Sequence, residues 1–138
     1  MNEFPEKRPN FETERFSVVP LSPTEARNLL SVLLQDEVLA SRVPWLAEKS
    51  QDSALREAFC IELQTASGQI KVWGIVARAQ RMQIGAILAR NSLEGIDVEV
   101  LVASQLWDDG IADEVGDPVV EWLANNSEVI QGYATTLH

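Results

Sequence analysis

Three β-rich runs, Ile70 to Ala77, Met82 to Ala89 and Ile96 to Val102, follow one another with little more than turn residues between them. Runs this rich in Ile, Val and Leu suit a pleated, buried surface, and connections such as Asn91-Ser92 and Glu94-Gly95 are short enough for hairpins only. The segment is therefore expected to fold as an antiparallel meander. A sheet of this kind is apolar on its faces, so the remaining chain must supply what covers it.

Before the meander the hydrophobic period is that of helices. Ser22-Pro23-Thr24-Glu25 places a capping side chain, a proline at the first helical position and a glutamate that can bond back to the cap. Together these satisfy free amides at a helix start. Ala26, Leu29, Leu30, Leu33 and Leu34 then form one apolar stripe. A second short helix is expected from Asp36 to before Pro44, with Trp45 and Leu46 tucked onto the core. A third runs from about Gln51 to Thr65, with Leu55, Ala58, Phe59, Glu62 and Leu63 tracking one face beside Cys60.

Arg15 to Leu21 reads as a first strand, stopped by the prolines around Ser22. After the meander, Pro118 to Leu123 reads as a helix capped by Asp117, and Glu128 to Leu137 as a last strand. The order β, helices, βββ, α, β predicts an α/β (α+β) domain: a mixed, mostly antiparallel sheet of about five strands flanked by helices. Residues 13–138 form that single domain, and residues 1–12, with two prolines and no period, form a flexible arm held, if at all, through Phe4 and Phe11.

Composition narrows the partners. Eleven Lys and Arg against twenty-one Asp and Glu give a formal charge of −10, which repels nucleic acid and acidic membrane surfaces and suits a basic partner or simple solubility. Cys60 is the only cysteine, so an internal disulfide and a multi-cysteine zinc site are excluded and no metal site is expected. With no secretion signal in the opening residues and no long apolar run, a cytoplasmic setting is expected.

The element order and several local motifs resemble the GNAT N-acetyltransferase superfamily, in particular its RimJ/RimL-type branch. Thr13 to Leu21 is similar to that branch's opening strand "TERL-x-LRPL", and Ile84-Gly85-Ala86-Ile87 to its "IG-x-I" strand. Asp97 to Ala112 lies without gaps on "E-I-G-Y-W-I-x-P-x-x-WGKGYAT": Trp107, Gly110 and Ala112 match, whereas Asp108 and Asp109 replace a small and a basic residue. The resemblance implies acetyl-CoA as cofactor if the protein is active, with its pyrophosphate on the loop Leu106, Trp107, Asp108, Asp109, Gly110, Ile111 and Ala112. Helix amides at such a loop attract anions. A carboxylate beside a diphosphate instead costs about 1–4 kcal/mol, at least about tenfold in affinity per contact.

Two further departures follow. Gly116-Asp117-Pro118 falls where the family's helix completes its first turns, so the helix is expected to restart at Asp117-Pro118, off the loop. The residues up to His138 are not expected to supply the C-terminal helix and hairpin of the family. Cofactor binding is accordingly not expected, and a non-catalytic protein-binding or regulatory module is favoured. An active N-acetyltransferase acting on a primary amine and a small-molecule sensor remain the alternatives.

Among single residues, Asp97 is the best candidate for a general base and Glu99 its backup; a solvated strand-end carboxylate is the plain alternative. Tyr133 fits packing better than thiolate protonation, His138 has no Ser or Cys motif to partner it, and Cys60 suits a small apolar role. The four tryptophans read as core, with Trp107 set apart by its place beside the altered loop. The uncharged stretch Val129 to Leu137 offers a strand edge for a protein partner or a second copy, so a homodimer is expected.

Overall fold

The computed structural model describes residues 9–43, 52–92, 95–107, 109–125 and 130–135. Trp45, Leu46, Asp108, Val129 and His138, and most of the arm before Phe11, lie outside them. Six strands form one sheet in sequence order: β1 (Phe11–Glu12), β2 (Phe16–Pro20), β3 (Ile70–Ala77), β4 (Met82–Ser92), β5 (Gly95–Val102) and β6 (Ile130–Thr135). Every pairing is antiparallel except β5 with β6. The meander expected from the three β-rich runs is β3–β4–β5, and the sixth strand is the two-residue β1 added beside β2.

Helices cover both faces. α1 (Pro23–Leu33), α2 (Glu37–Arg42) and α3 (Asp52–Ala66) lie between β2 and β3, and α4 (Ile111–Asn125) makes the crossover that the parallel β5–β6 pair requires. Leu21, in the link before α1, and Leu30, Leu39 and Ile61 of the first helical layer pack with Ile70, Val72, Leu88 and Leu101 of the sheet. On the opposite face Ile111, Val115, Val119 and Leu123 of α4 pack with Val18, Trp73, Ile75 and Val100. Covering on both faces explains why β5 is buried nearly throughout, from Val98 to Val102, instead of alternating.

The start of α1 carries the expected capping box: the Ser22 hydroxyl accepts from the Glu25 amide at 3.2 Å, and the Glu25 carboxylate accepts from the Ser22 amide at 2.9 Å. α3 has the expected span but a different buried face. Ala58 and Ile61 are buried, while Phe59 and Leu63 stay about half exposed, and Cys60 is half-buried. The five-residue face drawn from the sequence mixed the buried side with its neighbour, because α3 meets mainly α1 across a narrow seam. Trp73 is fully buried and stands edge-on to Trp122, with ring centroids 6.1 Å apart.

The expected restart of the last helix at Asp117-Pro118 is not what forms. α4 runs unbroken from Ile111 to Asn125 with Pro118 inside it. Proline there removes the amide that would bond the Glu114 carbonyl, at a cost of roughly 3 kcal/mol. Four large side chains, Ile111, Val115, Val119 and Leu123, are buried on one stripe across that point. Each contributes about 1.5–3 kcal/mol of burial, so continuity wins over the break.

Candidate functional site

The loop between β5 and α4 is built from its anchors inward. Ala103 leaves the sheet, Ser104–Leu106 make one 3-10 turn, and Trp107 folds back so that its indole Nε1 donates to the Val102 carbonyl at 2.8 Å. The Arg42 guanidinium sits 5.8 Å from the Trp107 ring centroid, a cation–π contact that ties α2 to the loop. Asp36 makes a second tie. Its carboxylate caps α2 by accepting from the Leu39 amide at 3.2 Å, and it also accepts from the Ser104 amide at 2.7 Å and the Ser104 hydroxyl at 2.9 Å.

Partial burial, the largest single influence on Asp36, pushes its carboxyl upward. The combined hydrogen bonds from Ser104 and Leu39 outweigh it and hold the group below its ordinary value.

Gly110 turns the chain into α4 with φ +72, a left-handed conformation that glycine adopts at no steric cost. The helix therefore starts directly on the loop, as the resemblance requires. What surrounds that start is acidic. Asp109 is exposed, and the first turn contains Asp113 and Glu114. Arg15 supplies the compensating charge: its guanidinium lies 2.7 Å from the Glu114 carboxylate, and its Nη2 donates to the Asp109 carbonyl at 2.9 Å. Glu114 further accepts from the Thr13 hydroxyl and, at 3.1 Å, from the Arg15 amide. Partial burial raises the Glu114 carboxyl, and the Thr13 and Arg15 contacts more than reverse it, leaving it lowered.

Beside the loop a cavity of about 630 Å³ opens at the end of the sheet where β5 finishes. Phe16, Leu33, Ile84 and Ile111 give it apolar walls, and Arg15, Arg78, Glu14, Asp36 and Asp109 are its charged lining. The sequence reading missed this cavity. Its walls come from β2, α1, the β3–β4 hairpin and the β5–α4 loop, segments that only the folded sheet brings together. The nearest signal was Glu14-Arg15, charged residues at the mouth of a strand.

The two candidate carboxylates lie elsewhere. Asp97 is exposed and pairs in register with Arg90 on β4 and Gly132 on β6; Glu99 is buried on β5, opposite Leu88. Neither lines the cavity. Of the predicted loop residues, Leu106, Asp109 and Ile111 do line it, while Trp107, Gly110 and Ala112 shape the loop behind it. Asp108 lies outside the described residues. Tyr133 occupies the register position opposite Val98 on β5.

The architecture is that of the GNAT N-acetyltransferases. The ribosomal-protein-S5-alanine acetyltransferase of Vibrio fischeri matches with a TM-score of 0.62 over 87% of this chain and 69% of that one, at 14% identity. The RimL ribosomal L7/L12 α-N-protein acetyltransferase, solved with coenzyme A, matches with a TM-score of 0.61 over 83% of this chain and 66% of that one, at 12% identity. The PaiA N-acetyltransferase of Thermoplasma acidophilum, also solved with coenzyme A, gives a TM-score of 0.58 over 81% and 74%, at 13% identity. No family model and no curated protein sequence matches the chain. Among the described residues no helix is long and apolar enough to cross a membrane.

Proposed function

We propose that this chain is a non-acetylating version of the GNAT fold, serving as a protein-binding or regulatory module. The observation that carries this reading is the charge at the start of α4. Asp109, Asp113 and Glu114 crowd the start of α4, where the resemblance would put an anionic cofactor's diphosphate, and Arg15 is already engaged by Glu114 at 2.7 Å and by the Asp109 carbonyl at 2.9 Å. Carboxylates in a first turn satisfy the helix's positive end themselves, which leaves less of it for an external anion. The left-handed Gly110 and the helix start at Ile111 suit the anion loop that the resemblance implies, and the carboxylates beside them do not.

The unbroken start of α4 and the left-handed Gly110 favour the second reading, an acetyl-CoA-dependent N-acetyltransferase acting on a primary amine. Acetyl-CoA would then supply the acetyl group, the amides from Leu106 to Ala112 would hold its phosphates, and Asp97 would take the proton. Titration calorimetry with acetyl-CoA separates the two. The absence of heat at millimolar cofactor supports the module; micromolar binding that disappears in Gly110→Arg establishes the enzyme.

The strand edge is part of the same proposal. Among the described residues β6 ends the sheet order, so its outer side is the edge on which a basic protein partner or a second copy would add a strand. Gel filtration with light scattering should give a dimer mass. A monomer that persists at high concentration removes self-association from the reading.

A further inference from the structure

We propose that the cavity at the end of β5 is a binding site for a small organic cation with an apolar body. This deepens the reading of the loop as unfit for phosphate and rests on it. Size comes first: about 630 Å³ lies in the middle of the range that small-molecule sites occupy. The walls come next. Phe16 and Ile84 are 5% and 6% exposed, Leu33 6% and Ile111 2%, so the interior offers packed hydrocarbon to a ligand's apolar part.

The choice of charge follows from which lining groups are already used. Both arginines are turned toward protein oxygens: Arg15 toward Glu114 and the Asp109 carbonyl, Arg78 toward the Thr13 carbonyl at 2.9 Å and Glu12 at 3.6 Å. Asp36 is also committed, through Ser104 and Leu39. Glu14 and Asp109 remain. Both are exposed at the cavity, and among the described residues neither carboxylate has a hydrogen-bond or ion-pair partner. The available lining charge is therefore negative, against apolar walls and the side-chain amides of Gln80, Gln83 and Gln105. An anion meets repulsion there, a neutral hydrocarbon leaves the carboxylates unused, and an amphipathic cation satisfies both.

Benzyltrimethylammonium is the probe, because a quaternary nitrogen cannot accept an acetyl group and its binding is separate from any acetyl transfer. Calorimetry on the full chain should show binding that weakens with added salt, and the uncharged isostere neopentylbenzene should bind at least about tenfold more weakly. Glu14→Gln with Asp109→Asn should lower the cation's affinity by a similar factor. Val32→Arg, at a cavity residue 66% exposed and so tolerant of change, should abolish binding by placing a cation at the mouth. No binding at millimolar probe, equal affinity for the isostere, or indifference to the paired carboxylate change would each overturn the proposal. A parallel titration with coenzyme A keeps the two readings apart. Silence from both ligands overturns only the cation site, whereas coenzyme binding overturns the reading of the loop.

Discussion

Arg15 and Glu114 meet at 2.7 Å although 99 residues separate them, which fastens the entry of β2 to the first turn of α4. The contact is lopsided. Arg15 is 44% exposed in its side chain and Glu114 only 21%. Glu114 also accepts from the Thr13 hydroxyl and the Arg15 amide, so its loss strands two donors besides the guanidinium.

Glu114→Ala should therefore cost more than Arg15→Ala: about 1–2 kcal/mol against less than about 1 kcal/mol, since the exposed guanidinium falls back on water. Urea unfolding of both variants measures the order. If Arg15→Ala proves the costlier, the ion pair itself and not the stranded donors dominates.

Asp36 holds two elements at once, so Asp36→Ala should lose both the α2 cap and the tie to Ser104, about 2–3 kcal/mol together. Ser104→Ala keeps the cap and should cost about 1 kcal/mol. The Trp107 emission should shift in the first variant, because its ring lies on the loop that Asp36 secures.

Acid should weaken the fold through the same two carboxylates. Asp36 and Glu114 titrate below their ordinary values of 3.8 and 4.5 in the folded chain, so the unfolded chain binds protons first as pH falls. Their contribution is fully present above about pH 5 and is lost as pH drops through the lowered folded values. Protonation also relieves the repulsion of a chain of charge −10, which works the other way. Comparing the native chain with Asp36→Asn, Glu114→Gln removes that common effect. The double variant should show the flatter dependence of urea midpoint on pH.

The start of α1 and the meander were legible because their signals are local: Ser22-Pro23-Thr24-Glu25 holds its own capping box, and β3, β4 and β5 fall where β-rich residues cluster. The Pro118 reading failed for the opposite reason. A local penalty was visible, while the stripe of Ile111, Val115, Val119 and Leu123 that outweighs it acts only against a sheet made from distant residues. The cavity was hidden in the same way, since Phe16, Leu33, Ile84 and Ile111 carry no shared motif. The acidic start of α4 was visible as Asp108-Asp109, but the role of Arg15 beside it needed the fold.

Gly85 illustrates a motif that gains its reason only in three dimensions. A side-chain carbon added there would stand 2.3 Å from the Leu101 carbonyl oxygen and 3.1 Å from Ile75, so backbone would have to move. Gly85→Ala should destabilise by about 2–4 kcal/mol and disturb the β4–β5 pairing just before the loop. Gly110→Ala meets no neighbouring atom but must hold a positive φ, and should cost only about 1 kcal/mol. Equal costs for the two would contradict steric crowding at Gly85.

Pro118 offers the sharpest test of how α4 is held. Replacing it by alanine returns an amide to the Glu114 carbonyl and keeps the buried stripe, so Pro118→Ala should stabilise the chain. The gain is bounded by roughly 3 kcal/mol for a relieved interior proline, less about 0.4–1 kcal/mol for the freer unfolded chain. A net increase of about 1–2 kcal/mol in urea unfolding is expected. A decrease would mean that the ring's own contacts outweigh the missing bond. The continuity of α4 across that position would then rest on proline packing as well as on the apolar stripe.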